Sequence, residues 1–287
     1  MKIKYRFMKK AIFAAALSLS AALSFGQTRS DAKPATVQLV RNATLVLEYG
    51  GKKILIDPML SPKGAIDSWA GIQRNPTVEL KMPVADIVKD VDLVLVSHTH
   101  EDHFDKVASS TLGKDTEVMI QPADKEYFEK EGFTSAAVID KSQLWNGITI
   151  HRVDGEHGTG EVLKMMGKTS GFILKAKNQP TVYIVGDALF TESIKKNIKK
   201  FRPDYIIVNS GGARIKGFEN SPIIMDEAQT MDLVRQSGKA KVIAVHMDAL
   251  DHCRTTRSSL AQKAAQSNIG QDKLIIPQDA EVITLSL

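Results

Sequence analysis

Residues 92–105 read DLVLVSHTHEDHFD, and three of the chain's seven histidines, His98, His100 and His103, crowd around Asp102 within six residues. Imidazole and carboxylate donors at this density suit a borderline divalent cation such as zinc. In an extended segment His98, His100 and Asp102 point to one side, and a turn after Asp102 returns His103 to the same space. Four such donors complete one tetrahedral site, or divide between two cations if other segments contribute.

Other segments do contribute. His157 lies in the Gly-flanked stretch DGEHG, Asp187 follows the apolar run VYIVG, and His246 ends KVIAV. Each sits at the C-terminal end of an expected strand, where a rigid element meets an accessible loop. His252, six residues past His246, is the rival for the last ligand position, or a substrate-facing proton donor; His246 is preferred because it directly ends a strand. Asp57, ending KKILID, reads either as a partner orienting a ligand histidine or as a turn carboxylate before Pro58. His151 alternates within a strand and reads as structural, Cys253 as a small buried or half-buried side chain. In SGGARIKGF (210–218), Arg214 and Lys216 could meet an anion or line a plain surface loop.

The elements that must position these residues follow from periodicity. TVQLV, TLVLEY and KKILID, separated by RNA and GG, predict an opening meander, and DLVLVS predicts a strand buried on both faces. Residues 58–83, with four prolines and no clear period, predict a long loop. Further strands are expected at 117–120, 136–139, 147–153, 171–176, 181–186, 205–209, 241–245, 273–277 and 281–286, and helices at 123–131, 191–200, 226–237 and 254–268. Asp226 and Gly238 bracket the third helix as N-cap and C-terminal stop. Early strands without intervening helices, then strands alternating with helices, predict an α+β fold of two face-to-face sheets with helices outside.

The run His98-Thr99-His100-Glu101-Asp102-His103 matches the HxHxDH motif of the metallo-β-lactamase superfamily, and His157, Asp187 and His246 fall in the order of its later metal motifs. The chain resembles this superfamily over roughly residues 36–287, and within it the branch of the L-ascorbate-6-phosphate lactonase, with which it shares ILIDP and a GD pair after an apolar strand. The resemblance implies a four-layer αβ/βα sandwich. It implies His98, His100 and His157 around one cation, Asp102, His103 and His246 around a second, and Asp187 bridging both. It also implies hydrolysis of a small ester, lactone or phosphate ester by a metal-activated water, with Asp102 relaying a proton as catalytic residue. The cations expected are two zinc ions, with manganese or iron as alternatives. Cleavage of phosphodiesters or nucleic acid, and iron-dependent oxygenation, are the rival activities known for the superfamily. The zinc β-lactamases use a cysteine where this chain has Asp187, so antibiotic hydrolysis is not implied.

Composition bounds these readings. The chain has 287 residues, 43% of them hydrophobic, enough for one large core. Lys2, Lys4, Arg6, Lys9 and Lys10 precede an uncharged run at 11–25 that is short for a membrane span. Residues 1–26 therefore read as a secretory signal peptide, with Met8 an alternative start, and 27–35 as a linker before one domain at 36–287. This predicts an exported, periplasmic protein without stable membrane insertion. Without those five cations the 38 lysines and arginines become 33, equal to the 33 acids. A neutral mature chain argues for a small-molecule substrate and against nucleic acid as partner. One cysteine, Cys253, excludes an internal disulfide.

Overall fold

The computed structural model describes residues 34–287. The leader expected at 1–26 and nearly all of the linker expected at 27–35 lie outside the described residues. The first strand begins at Ala35.

The first half of the chain opens on the expected meander, β1 (Ala35–Arg41), β2 (Thr44–Tyr49) and β3 (Lys52–Ile56). Residues 57–83 then run without helix or strand, apart from one bridge between Ile66 and Asn75. There follow α1 (Val84–Val88), β4 (Leu93–Leu95), α2 (Lys106–Thr111), β5 (Val118–Ile120), α3 (Lys125–Lys130) and β6 (Ala136–Val138). The second half comprises β7 (Ser142–Trp145), β8 (Ile148–Gly155), α4 (Gly160–Met166), β9 (Thr169–Ala176), β10 (Val182–Ile184), α5 (Glu192–Phe201), β11 (Tyr205–Asn209), α6 (Glu227–Gln236), β12 (Lys241–Val245), α7 (Arg257–Gln266), β13 (Leu274–Ile275) and β14 (Val282–Leu285). The four elements that the periodicity did not predict, α1, α2, α4 and β7, span only four to seven residues each. That is too short to display a repeating apolar face.

The strands form two seven-stranded sheets, ordered β14-β1-β2-β3-β4-β5-β6 and β13-β12-β11-β10-β9-β8-β7. Each sheet has an antiparallel part and a parallel part. In the first, β3 to β6 pair in parallel, as do β10 to β13 in the second. Side chains of period two explain the layering. Leu45, Leu47, Ile54 and Ile56 of the first sheet meet Ile148, Ile150, Phe172 and Leu174 of the second in the central core. The opposite face of the first sheet, with Leu55, Val94 and Val118, packs on Ile87, Ala108 and Phe128 of α1, α2 and α3. That of the second, with Tyr183, Ile206 and Val242, packs on α5, α6 and α7 through Ile194, Met231 and Leu260. The result is the predicted four-layer sandwich. Phe172, fully buried between the sheets, would cost about 3–5 kcal/mol if cut to alanine.

Two caps end α6 as predicted: the Asp226 side chain accepts from Gln229 N at 3.0 Å, and Gly238 beyond its C-terminus has φ +61°. Beyond the end of α7, Asn268 takes the left-handed conformation at φ +55°. Asn tolerates that region.

Candidate metal centre

Strand β4 stops at Leu95, so the histidine cluster is not the extended segment that its alternation suggested. It is a tight turn beyond the strand, closed by His103 N and Phe104 N donating to His100 O at 2.8 and 2.9 Å. The turn places Asp102 and His103 in a different donor group from His98 and His100, although the His98 and His103 ring centroids stand only 4.1 Å apart, instead of leaving three donors on one side. Its exit is pinned by Asp105, whose carboxylate caps α2 at Ala108 N and accepts from Ser61 N in the long loop.

Two groups of donors result. His98, His100 and His157 form one; Asp102, His103, Asp187 and His246 form the other, and within each the potential ligand atoms lie within 4.8 Å of one another. His98 Nε2 is 2.9 Å from His100 Nδ1. His246 Nε2 is 3.2 Å from Asp102 Oδ2 and 3.3 Å from His103 Nε2. Asp187 spans the groups: its Oδ2 is 3.2 Å from His103 Nε2 and 3.5 Å from His157 Nε2, and its Oδ1 is 3.7 Å from His246 Nε2. Donors sharing one tetrahedral cation at roughly 2.0–2.2 Å must stand about 3.2–3.6 Å apart, so most of this spacing fits a metal. His252 belongs to neither group, which separates it from His246.

The surroundings fix which nitrogens face inward. His103 Nδ1 donates to Asp57 Oδ2 at 2.8 Å, and His157 Nδ1 donates to the Ile223 carbonyl at 2.8 Å. The Ser97 hydroxyl gives its one proton to Asp57 Oδ2 at 2.7 Å, which leaves it to accept from His98 Nδ1 at 3.0 Å. In all three rings Nε2 therefore points into the site, the arrangement in which outer partners orient metal-binding imidazoles. Asp57 has φ +45° and anchors both His103 and the Ser97 relay, so it is the orienting partner and not a turn carboxylate alone.

Sequence reasoning missed several supports. Asn209, the last residue of β11, donates to Asp187 Oδ1 at 2.6 Å. Asn42, in the turn after β1, donates to the Asp102 carbonyl at 3.1 Å, and its own carbonyl accepts from His246 N at 2.9 Å. A polar residue ending a run as apolar as YIIVN was the available signal. Gly186 precedes Asp187 at φ +71°, and a Cβ there would lie 2.4 Å from the Ser170 carbonyl, so only glycine delivers the aspartate at this point. Cys253 Sγ sits 3.6 Å from His246 Nδ1, closer to the site than a bystander. His151 stays apart, its ring tilted against Phe201 with centroids 5.0 Å apart.

Electrostatics divide the two groups. Burial depresses His98, His100 and His157, leaving them neutral with free lone pairs. Burial also opposes protonation of His103, but Asp187, Asp102 and Asp57 outweigh it and push the ring up to about 10. His246 is raised well above the usual imidazole range in the same way, chiefly by Asp187. Burial alone would raise Asp102 and Asp187; neighbouring imidazolium groups, His103 foremost, hold both well below the carboxylate range.

A cavity of about 480 Å³ opens onto the centre. His100, Asp102, His157 and Asp187 form its floor, and Trp69, Met166, Ile215 and Ile223 give it apolar walls, with Lys216 and His252 among them. The Trp69 loop is tied down by Asp251, whose carboxylate accepts from Asn75 Nδ2 at 2.9 Å and from the Trp69, Ala70 and Ile72 amides.

Such a sandwich, with donors gathered at one edge of both sheets, is the metallo-β-lactamase fold. The beta-lactamase superfamily domain matches residues 52–247, and the chain belongs to that superfamily, among relatives named as metal-dependent hydrolases. It is 32% identical over 251 residues to the UPF0173 protein YddR of Bacillus subtilis, covering 85% of this chain and 98% of that one. Among solved structures, a possible metal-dependent hydrolase from Veillonella parvula superposes with TM-score 0.84 at 37% identity, over 88% of this chain and 100% of the other. The isothiocyanate hydrolase from Delia radicum gut bacteria does so with TM-score 0.81 at 34% identity, over 88% and 99%.

Proposed function

We propose that this metal-dependent hydrolase is exported and works with two divalent cations, zinc first by donor chemistry and manganese or iron as alternatives. His98, His100 and His157 would hold one, Asp102, His103 and His246 the other, with Asp187 shared. Bound there, the cations would supply Lewis acidity and a water acidic enough to react at neutral pH. The chain's own residues do the rest. Asp102, kept ionised and lining the cavity, accepts a proton rather than giving one. Asp57, Ser97 and Asn209 hold the ligating atoms in register. Trp69, Met166, Ile215 and Ile223 exclude bulk water from the reacting bond.

The observation that carries the substrate reading is the pairing of a polar floor with apolar walls in a cavity of small-molecule size. It favours a small, largely apolar electrophile such as an ester or lactone. The 34% identity to an isothiocyanate hydrolase adds isothiocyanates to that class. Lys216 in the wall supports phosphate esters as the second reading. The confined cavity and the neutral charge of the chain after residue 26 argue against nucleic acid.

The test is a panel on the chain beginning at Gln27, loaded in turn with zinc, manganese and iron. It comprises phenyl acetate, a γ-lactone, phenethyl isothiocyanate, p-nitrophenyl phosphate and bis(p-nitrophenyl) phosphate. Turnover of one of the first three, abolished in His100→Ala, is expected. Turnover of the diester alone, or dioxygen consumption by the iron form, would replace this reading.

A further inference from the structure

His252 is the one cavity-lining histidine outside both donor groups. It is 5% exposed and stands edge-on to Trp69, with ring centroids 4.9 Å apart. Its backbone is fixed, because its carbonyl accepts from Arg214 N at 3.0 Å and the preceding Asp251 is the hub that holds the Trp69 loop. A buried imidazole held this firmly normally satisfies both nitrogens. Here Nδ1 is fully buried and has no hydrogen-bond partner among the described residues.

That orphan decides the tautomer. A neutral imidazole carries one N–H and one lone pair, and burial keeps this ring neutral, pushed down to about 4. A proton on Nδ1 would be a buried donor with nothing to receive it, a rarer and worse situation than an unfilled acceptor. The proton therefore sits on Nε2, the nitrogen on the ring edge left open to the cavity. Asp102 and Asp187 line the same cavity, and Trp69 stands edge-on to the ring.

Resting on the metal-hydrolase reading of the site, we propose that His252 is a catalytic residue whose Nε2–H donates a hydrogen bond to the substrate heteroatom that gains negative charge as the bond is attacked. The unsatisfied Nδ1 biases the ring toward a single tautomer, and the Trp69 contact keeps it aimed. No bond to His252 forms, and the proton stays on Nε2 through the step. A donor placed where charge develops acts in a water-poor site, and loss of one such donor lowers turnover by roughly 10²–10³-fold.

The experiment uses the metal-loaded chain from Gln27, with His252→Phe to keep the ring's volume against Trp69 and His252→Gln to restore an N–H donor. Metal content is measured on each, and turnover of phenyl acetate, p-nitrophenyl acetate and phenethyl isothiocyanate is compared. His252→Phe should keep its full metal and lose about 10²-fold or more in kcat, with His252→Gln recovering part of that loss. Long-range ¹H–¹⁵N spectra of the wild type should show the Nε2–H tautomer at neutral pH. Unchanged kcat in His252→Phe, loss of metal from it, or an Nδ1–H tautomer would each overturn the proposal. If the wild type turns over none of the three substrates, the reading of the site fails, and this assignment falls with it.

Discussion

The two sheets arm the centre in different ways. The first delivers His98, His100, Asp102 and His103 from a single turn after β4, while the second delivers His157, Asp187 and His246 one at a time from beyond β8, β10 and β12. Their supports differ likewise. Asp57 at the end of β3 stands behind two histidines at once, directly behind His103 and through Ser97 behind His98. In the second sheet Asn209 supports Asp187 alone, and Ile223 supports His157. A local turn is cheap to assemble but needs one strong brace. The separate strand ends lie in different parts of one sheet, β8 in its antiparallel part and β10 and β12 in its parallel part, and they meet only if the whole strand order is correct.

The comparison breaks most severely at Asp187, whose carboxylate spans the two donor groups. Asp187→Ala should lower hydrolysis by about 10³-fold or more and remove metal from both groups, the behaviour of a part that acts only within a unit. Metal analysis beside the activity assay checks it. If one cation remained at full occupancy, Asp187 would not be shared.

Next come His98→Ala and His246→Ala, one for each group. Each should cost about 10²–10³-fold in turnover, and the double variant should be no worse than the poorer single one, since parts of one centre are not additive. Additive losses in a double-mutant cycle would mean two independent sites.

The groups should also separate by pH. His98, His100 and His157 are held neutral, so a cation there displaces few protons. His103 and His246 are raised above neutrality by their carboxylates, so a cation there must displace protons, and its affinity rises with pH. On acidification from pH 8 to 6 the Asp102–His103–His246 group should empty first. Metal content per chain after equilibration against a weak chelator follows it; a single pH-independent loss of both cations would contradict the assignment.

Asp57→Asn should weaken metal binding by about 10–100-fold, as loss of an orienting partner does. Asn209→Ala should weaken it less, because it braces one ligand instead of two. Equal effects in a competition titration would remove the distinction between the sheets' supports.

Smallest is Asp251. Burial alone would raise this carboxyl, but Ser68, Asn75 and the loop amides hold it below the ordinary aspartate range. It therefore stabilises the fold above about pH 4, and that contribution drains away as pH falls toward the folded value. Asp251→Asn should lower Tm slightly at pH 6 and flatten the decline of Tm between pH 5 and 3. An unchanged slope would show that the Trp69 loop does not depend on that charge.

Legibility in the sequence followed the same divide. The local cluster could be read because turn and donors are contiguous, and Asp187 and His246 because each ends a long apolar run. Period-two patterning also exposed the two sheets. The handover from His100 to Asp102 could not be read by alternation, because β4 ends at Leu95, three residues before His98, and the turn, not a strand, sets the directions. Asn42 and Asn209 were hidden for another reason. A single amide at a strand end looks the same whether it closes a turn or braces a carboxylate, and only the folded contacts decide: Asn42 reaches His246 on the other sheet, Asn209 the neighbouring strand end at Asp187. His252 could be read only as an alternative ligand or donor until its distance from both groups was known.

The central claim is that two cations sit between these sheets and share Asp187. Anomalous diffraction at the zinc edge from crystals of the metal-loaded chain tests it most directly. The account predicts two peaks about 3.5–4 Å apart, one beside His98, His100 and His157, the other beside Asp102, His103 and His246, with Asp187 reaching both. A single peak, or a second one held by His252 in place of His246, would contradict it.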